Sequence, residues 1–248
     1  MSWWQAVVLG IVEGVTEYLP VSSTGHLLLA QRAMGISSSE AADAFAICIQ
    51  AGAILAVLGL YSQRVKHVVE GFLGRNPMGA RLGICLGAAF LPAAILGTAL
   101  EKVIKRYLFG GEEWGLWPIV AAWFVGGFAI VLVEKWRRRR GLAGRSLEDM
   151  TWQMGVIIGI AQCVAMWPGT SRSLATILGG IFAGLNLCAA VEFSFLLGVI
   201  TLTAATAYDA LKHGNVMMNE YGWEVLSLGL FTSWLSAVLA VKWMVGYL

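Results

Sequence analysis

Glu13 and Glu17 stand four residues apart, and Pro20-Val21-Ser22-Ser23-Thr24-Gly25-His26 follows at once. A helix puts residues four apart on one face, so the two carboxylates share it. Like charges at that spacing repel, and a cation or a positive ligand group relieves them. Carboxylate oxygens suit Mg²⁺ or Ca²⁺, hard ions that accept substrate phosphates beside protein ligands. Ser22, Ser23 and Thr24, with Gly25 opening a helix, offer hydroxyls and backbone N–H groups to an anion. His26 lies one turn past Ser22 and Ser23, within reach to serve a hydroxyl as base or acid. Glutamates that merely cap or bridge helices would not need to share one buried turn.

A second stretch, Pro168-Gly169-Thr170-Ser171-Arg172-Ser173, repeats this chemistry without carboxylates. Gly169 lets backbone approach a ligand, the Ser and Thr hydroxyls donate, and Arg172 can grip phosphate oxygens bidentately. The competing use of Arg172 is an ion pair to Glu13 or Glu17, which an arriving phosphate would open. Together the two stretches predict a phosphate site at membrane depth. Its parts are two carboxylates, several hydroxyls and one guanidinium.

The elements that must position these residues follow from composition. Of 248 residues 58% are hydrophobic and 13% are charged, against about 25% charged in a soluble domain. Disordered, nucleic-acid-binding and ordinary cytosolic proteins are excluded. Apolar runs continue for about 18–22 residues, which selects membrane helices over barrel strands that alternate across about 10. They fall at about 2–19, 21–34, 41–61, 82–100, 115–134, 151–167, 170–184, 188–208 and 222–247. In 2–34 and 151–184 a helix meets a Pro/Gly/Ser break and then a helix too short to span. Each reads as a re-entrant hairpin, tolerated in the bilayer where it is buried in protein or lines a wet cavity.

Gly10-Ile11-Val12-Glu13 can be set against Gly159-Ile160-Ala161-Gln162, Pro20 against Pro168, Ser23 against Ser171, and Asp43 against Glu192. Three crossings separate the hairpins, so the second repeat is inverted. Inverted repeats put their site near the midplane. The predicted architecture is thus an all-α polytopic membrane protein, one integral membrane domain over 1–248. Repeat one covers about 1–134, a basic loop about 135–150 and repeat two about 151–248. The 135–150 loop holds Lys135, Arg137, Arg138, Arg139, Arg140 and Arg145, and the 62–81 loop holds Arg64, Lys66, Arg75 and Arg81. The opposite loops hold Lys102, Lys105 and Arg106, and Lys212, so the richer side is assigned to the cytoplasm. Cys48, Cys85, Cys163 and Cys188 form no CxxC pair and no metal-ligand spacing with a His. The N-terminus has no basic region before its apolar stretch, and a cleaved signal peptide is not expected.

Glu13-Gly-Val-Thr-Glu17-Tyr-Leu-Pro-Val-Ser-Ser-Thr-Gly-His26 and Pro168-Gly-Thr-Ser-Arg-Ser173 resemble the two signature motifs of the undecaprenyl-diphosphatase (BacA/UppP) family. Gln50-Ala-Gly-Ala-Ile-Leu-Ala56, Pro92-Ala-Ala-Ile-Leu-Gly97 and Glu192-Phe-Ser-Phe-Leu-Leu197 are similar to further family segments. The resemblance implies an integral membrane phosphatase that converts undecaprenyl diphosphate to the monophosphate carrier of peptidoglycan synthesis. It further implies bacitracin resistance on overproduction. The implied location is the bacterial inner membrane, with the active cavity open to the periplasm. The implied roles fall on Glu13, Glu17, Ser22, Ser23, His26, Ser171, Arg172 and Ser173.

Three features depart from the family. Leu174 stands where Gly or Ala is usual, which predicts crowding at the second tip. Ala46 stands where Glu is frequent. The chain ends soon after Lys242, where many members continue, so a shortened or truncated member is expected. The resulting assignment makes Glu17, Ser23, His26 and Arg172 catalytic. Ser22, Thr24, Gly169, Thr170, Ser171 and Ser173 bind substrate phosphate, and Glu13 and Glu17 hold a divalent cation, Mg²⁺ or Ca²⁺. Either a serine attacks phosphorus with His26 as base, or His26 or a glutamate activates water. The partners are a polyprenyl diphosphate lipid and the bilayer, not nucleic acid, and a homodimer is compatible with them. The alternative from another class is a polyprenyl-phosphate flippase, which needs phosphate binding but no nucleophile.

Overall fold

The structure, a computed structural model, describes residues 1–104, 116–140 and 144–248. Among these the α-helices are α1 (Trp3–Thr16), α2 (Ser23–Ala33), α3 (Glu40–Cys48), α4 (Gln50–Leu60), α5 (Ser62–Phe72), α6 (Pro77–Ile104), α7 (Trp117–Arg140), α8 (Trp152–Gln162), α9 (Arg172–Phe182) and α10 (Leu187–Tyr247). Four stretches of the described residues are long and apolar enough to cross a membrane: Glu40–Leu60, Pro77–Ala99, Trp117–Arg139 and Leu187–Tyr247. The chain is a multi-pass helical membrane protein. The first three stretches are the crossings expected between the hairpins. The paired helices α1, α2, α8 and α9 have 14, 11, 11 and 11 residues. At 1.5 Å per residue they reach about 16–21 Å, short of the ~30 Å hydrocarbon core.

Three expected loops fold differently. Residues 209–221, with Lys212, continue α10, because nothing there breaks a helix until Gly222, at φ 75 and ψ 172. That conformation is open to glycine and ends one helix and starts another. Lys135–Arg140 also lie on a helix, the last turns of α7. Glu134 pairs there with Arg137 at 3.0 Å and Arg138 at 2.6 Å, the i+3 and i+4 contacts that support a charged helix end. Residues 62–72 of the third loop form α5. Lys105 and Arg106 lie outside the described residues.

The chain divides into two compact units, residues 1–62 with 198–248, and residues 63–197. These cuts fall away from the repeat boundaries, since compactness follows packing and repeats follow order along the chain. In the first unit α1 and α2 are antiparallel: Gln5 Nε2 at the start of α1 donates to the Met34 carbonyl at the end of α2, 3.2 Å. Leu9, Leu27, Phe45, Ile49, Met217 and Leu226 form the core. Gly10 and Gly14 bring α1 against residues 229–237 of α10. A Cβ on Gly14 would lie 2.1 Å from Ser236 Oγ and 2.2 Å from the Ser233 carbonyl. This is the close approach that GxxxG permits between membrane helices. It buries the α1 face that carries Glu13.

In the second unit Gly155 and Gly159 of α8 do the same against α6. A Cβ on either would come 2.5 Å from the Cys85 or Ala89 carbonyl. Gly179 of α9 rests on Ala161 of α8, and residue 184 after α9 is tied to Arg145 before α8, so the two helices form a second antiparallel pair. The segment before α8 is pinned by Arg145 N–H to the Gly184 carbonyl, 2.8 Å, and Asn186 N–H to the Arg145 carbonyl, 2.9 Å. Arg64 of α5 bridges Glu148 at 2.9 Å and Glu192 at 2.7 Å. Glu192 is therefore an ion-pair partner at the start of α10. The Glu192 hydrogen bond raises the Arg64 pKa. The Glu148 carboxyl is held below its ordinary value, first by its own backbone N–H and then by Arg64.

Candidate active site

The first hairpin collects most of the expected groups. Glu13 is fully buried and Glu17 is 7% exposed. Glu17 closes α1, its N–H donating to the Glu13 carbonyl at 2.9 Å, so the carboxylates sit one turn apart. The turn then brings Ser23 back, and its hydroxyl donates to Glu17 Oε2. Ser22 and Ser23 are buried, Thr24 is exposed, and His26 is half-buried. His26 Nδ1 donates to the Ser22 carbonyl at 2.8 Å. A carbonyl only accepts, so Nδ1 carries a proton. The Ser23 hydroxyl thus donates to the Glu17 carboxylate, and His26 is oriented by the Ser22 carbonyl. The reason is the turn, which folds Ser23 towards the end of α1.

Ser22 is the only non-glycine with positive φ among the described residues, at φ 69. Such a conformation costs a side-chain-bearing residue on the order of 1–3 kcal/mol and gathers where function requires it. Here it reverses the chain between the two helices.

The second hairpin is uncharged apart from Arg172. Ser171 caps α9, accepting from the Leu174 N–H at 3.2 Å, and its hydroxyl meets that of Ser173 at 2.9 Å. Arg172 Nη1 donates to the Ser194 carbonyl at 3.1 Å. The Ser194 hydroxyl meets Thr176 Oγ1 at 2.7 Å, and Thr176 Oγ1 also donates to the Arg172 and Ser173 carbonyls, each 3.0 Å. Thr176 and Ser194 thus support Arg172, a role that neither motif announces. The one sequence signal for Ser194 is a lone hydroxyl inside the apolar run Phe193–Leu197. Gly169 has φ 84, and its Cα lies against Ile119, where a Cβ would come within 2.6 Å. Its bare face therefore meets α7. Thr170 N–H donates to the Trp167 carbonyl, 3.0 Å. Leu174 is accommodated by Gly126 of α7, where a Cβ would stand 3.0 Å from Leu174 Cδ2. The crowding expected there is relieved by an absent side chain.

Two buried carboxylates beside a serine hydroxyl form an all-oxygen donor set, which fits a hard divalent cation completed by water and substrate phosphates. Among the described residues no cluster of three or more His, Cys, Asp or Glu forms. An ion held by Glu13 and Glu17 would therefore draw its remaining ligands from water and substrate.

A family described as bacitracin resistance protein BacA matches residues 6–248. The undecaprenyl-diphosphatase of Sorangium cellulosum is 46% identical over 250 residues, taking in 100% of this chain and 80% of the relative. The undecaprenyl-diphosphatase 2 of Rhodospirillum rubrum is 43% identical, covering 98% and 86%. The undecaprenyl-diphosphatase of Aquifex aeolicus is 38% identical, covering 100% and 90%.

Proposed function

The chain belongs to the bacitracin resistance protein BacA family, and from that premise we propose that it hydrolyses undecaprenyl diphosphate to undecaprenyl phosphate and phosphate. The observation that carries the reading within the molecule is the buried Ser23–Glu17 hydrogen bond, one turn from Glu13. Binding and flipping a lipid phosphate would need no such activated hydroxyl. The relatives' names favour hydrolysis over lipid transport.

Ser23 attacks the terminal phosphorus while its proton passes to Glu17. The phosphoric anhydride bond breaks, and undecaprenyl phosphate departs with the bridging oxygen. Water then hydrolyses the phosphoserine, releasing phosphate and restoring the hydroxyl. His26, oriented through Nδ1, presents Nε2 to the proton of that water. Arg172 binds phosphate oxygens as charge develops, with Ser22, Thr24, Thr170, Ser171 and Ser173 as further donors and Gly169 shaping their turn. A divalent cation held by Glu13 and Glu17 would neutralise diphosphate charge.

The same reading sets the protein in the bacterial inner membrane, its active cavity open to the periplasm and the basic end of α7 cytoplasmic. There it recycles the lipid carrier for wall synthesis and lowers bacitracin sensitivity. Purified protein with undecaprenyl diphosphate tests the reaction. Phosphate release should stop with a chelator and return with Mg²⁺ or Ca²⁺. No release under any divalent ion, with lipid movement across vesicles, would overturn it. The thiol of Arg139→Cys should react in intact cells only with membrane-permeant reagents, and labelling by impermeant ones would reverse the orientation.

A further inference from the structure

The start of the crossing α6 borders a polar cavity that shares no residue with the two hairpin turns. It measures about 170 Å³ and lies between α5, the first turns of α6 and residues 147–150. The apolar span of α6 begins at Pro77, so the cavity sits at the level of lipid headgroups. Its polar lining is Arg64 and His67 of α5, Asn76, Arg81 of α6, and Glu148.

Arg81 is held by backbone rather than by carboxylates. Its Nε donates to the Met150 carbonyl at 2.9 Å and its Nη2 to the Glu148 carbonyl. Neutral acceptors fix the guanidinium without neutralising it, and Nη1 is left for a ligand. Arg64, by contrast, is shared by the carboxylates of Glu148 and Glu192. Asn76 caps α6, its Oδ1 accepting from the Gly79 N–H at 3.0 Å. Its Nδ2 and the positive end of the α6 dipole add donors and field for an anion. The frame is rigid. A Cβ on Gly79 would lie 1.7 Å from the His67 carbonyl, and one on Gly71 would lie 2.1 Å from the Ala80 nitrogen.

Helix α5 is amphipathic. Arg64, Lys66, His67 and Glu70 share one side, and Val65, Val68, Val69 and Phe72 the other. Val69 and Phe72, with Leu73 and Met78, are exposed. A short helix of this kind lies in the membrane interface with its apolar side in the acyl layer. Cations and acyl-facing side chains thus border the same opening.

We propose that this cavity holds the headgroup of an anionic phospholipid. The phosphate meets Arg81 and the N-terminus of α6, a headgroup hydroxyl donates to Glu148, and the acyl chains run over Phe72 and Met78. The volume lies below the about 300–1,000 Å³ of sites for drug-sized ligands and suits one phosphoglycerol group. Charge selects the occupant. The lining sets two guanidinium groups against one carboxylate, whereas a choline headgroup brings a further cation and no hydroxyl for Glu148.

The test titrates the detergent-solubilised chain with phosphatidylglycerol, phosphatidylcholine or soluble glycerol phosphate, and native mass spectrometry counts what is bound. One phosphatidylglycerol should bind at least about tenfold more tightly than phosphatidylcholine and than glycerol phosphate. Equal affinity for the two lipids would overturn the proposal. Equal affinity for glycerol phosphate would make this a soluble-anion site and overturn the lipid assignment. Arg81→Gln should weaken phosphatidylglycerol binding by about tenfold and leave phosphatidylcholine unchanged. Arg81 also ties two carbonyls, so Met78→Glu supplies a second variant. Its side chain is exposed, and a carboxylate at the rim should repel the phosphate to a similar extent. Unchanged binding in Met78→Glu would overturn the proposal even where Arg81→Gln fails to fold. In wild-type protein a phosphatidylglycerol with a diazirine on its headgroup should label residues 64–81 and 147–150, and label confined to other segments would also overturn it.

Discussion

The α1–α2 and α8–α9 hairpins have the same plan and opposite chemistry. Both are antiparallel pairs of helices too short to span a membrane, and both pack through an i, i+4 glycine pair, Gly10/Gly14 and Gly155/Gly159. Where the first has buried Glu13, the second has buried Gln162. The first joins its serine to a carboxylate, Ser23 to Glu17. The second joins its serines to each other and to the capped end of α9, with Arg172 resting on the Ser194 carbonyl. Ser22 reverses the first turn at φ 69, and Gly169 allows the second at φ 84. One scaffold thus carries carboxylates at one copy and hydroxyls with a guanidinium at the other. A carboxylate needs protons or cations nearby, whereas hydroxyls and a guanidinium can share one turn without repulsion.

The contrast predicts a hierarchy of defects. Removing the proposed nucleophile should have the largest effect. Ser23→Ala should lower kcat by roughly 10³-fold or more, and an acid quench of wild-type turnover should trap phosphoserine. Retention of a tenth to a hundredth of the activity would instead indicate direct attack by water, with Ser23 contributing a hydrogen bond of about 1–3 kcal/mol.

Making the hairpins alike at one position should come next. Glu13→Gln copies Gln162 into the first hairpin and should cost at least about 100-fold in kcat, with loss of the response to added divalent cation. Gln162→Glu in that background should not restore turnover. Restoration would mean that the copies are chemically interchangeable.

Arg172→Lys keeps the charge and removes the planar fork. Turnover should fall by about tenfold, and activity equal to wild type would reduce Arg172 to a structural tie on Ser194.

The smallest effect lies away from both turns. Glu148 has its pKa depressed in the folded protein. Its contribution to stability is therefore present above the unfolded carboxyl value of 4.5 and is lost as pH falls below it. Melting of detergent-solubilised protein should move to lower temperature below that pH, less steeply in Glu148→Gln, with kcat unchanged at neutral pH. Equal slopes in both proteins would remove Glu148 from the acid response.

The sequence by itself determined the class, the hairpins and nearly all the chemical groups. Continuous apolar runs exclude a soluble fold, and Pro20 and Pro168 punctuate runs too short to span. Glu13 and Glu17 are costly in a membrane, on the order of 3 kcal/mol each, so residue type and spacing alone mark that turn as functional. Segment ends were less legible. Lys212 and the Arg137–Arg140 run read as loop by charge, but helix continues wherever neither proline nor a positive-φ glycine stops it. Tertiary structure alone decided the partners. Ser23 meets Glu17 because the turn at Ser22 reverses the chain. Thr176 and Ser194 support Arg172 across two helices, and Gly126 gives Leu174 its room. Such contacts join residues distant in sequence, and local spacing carries no record of them.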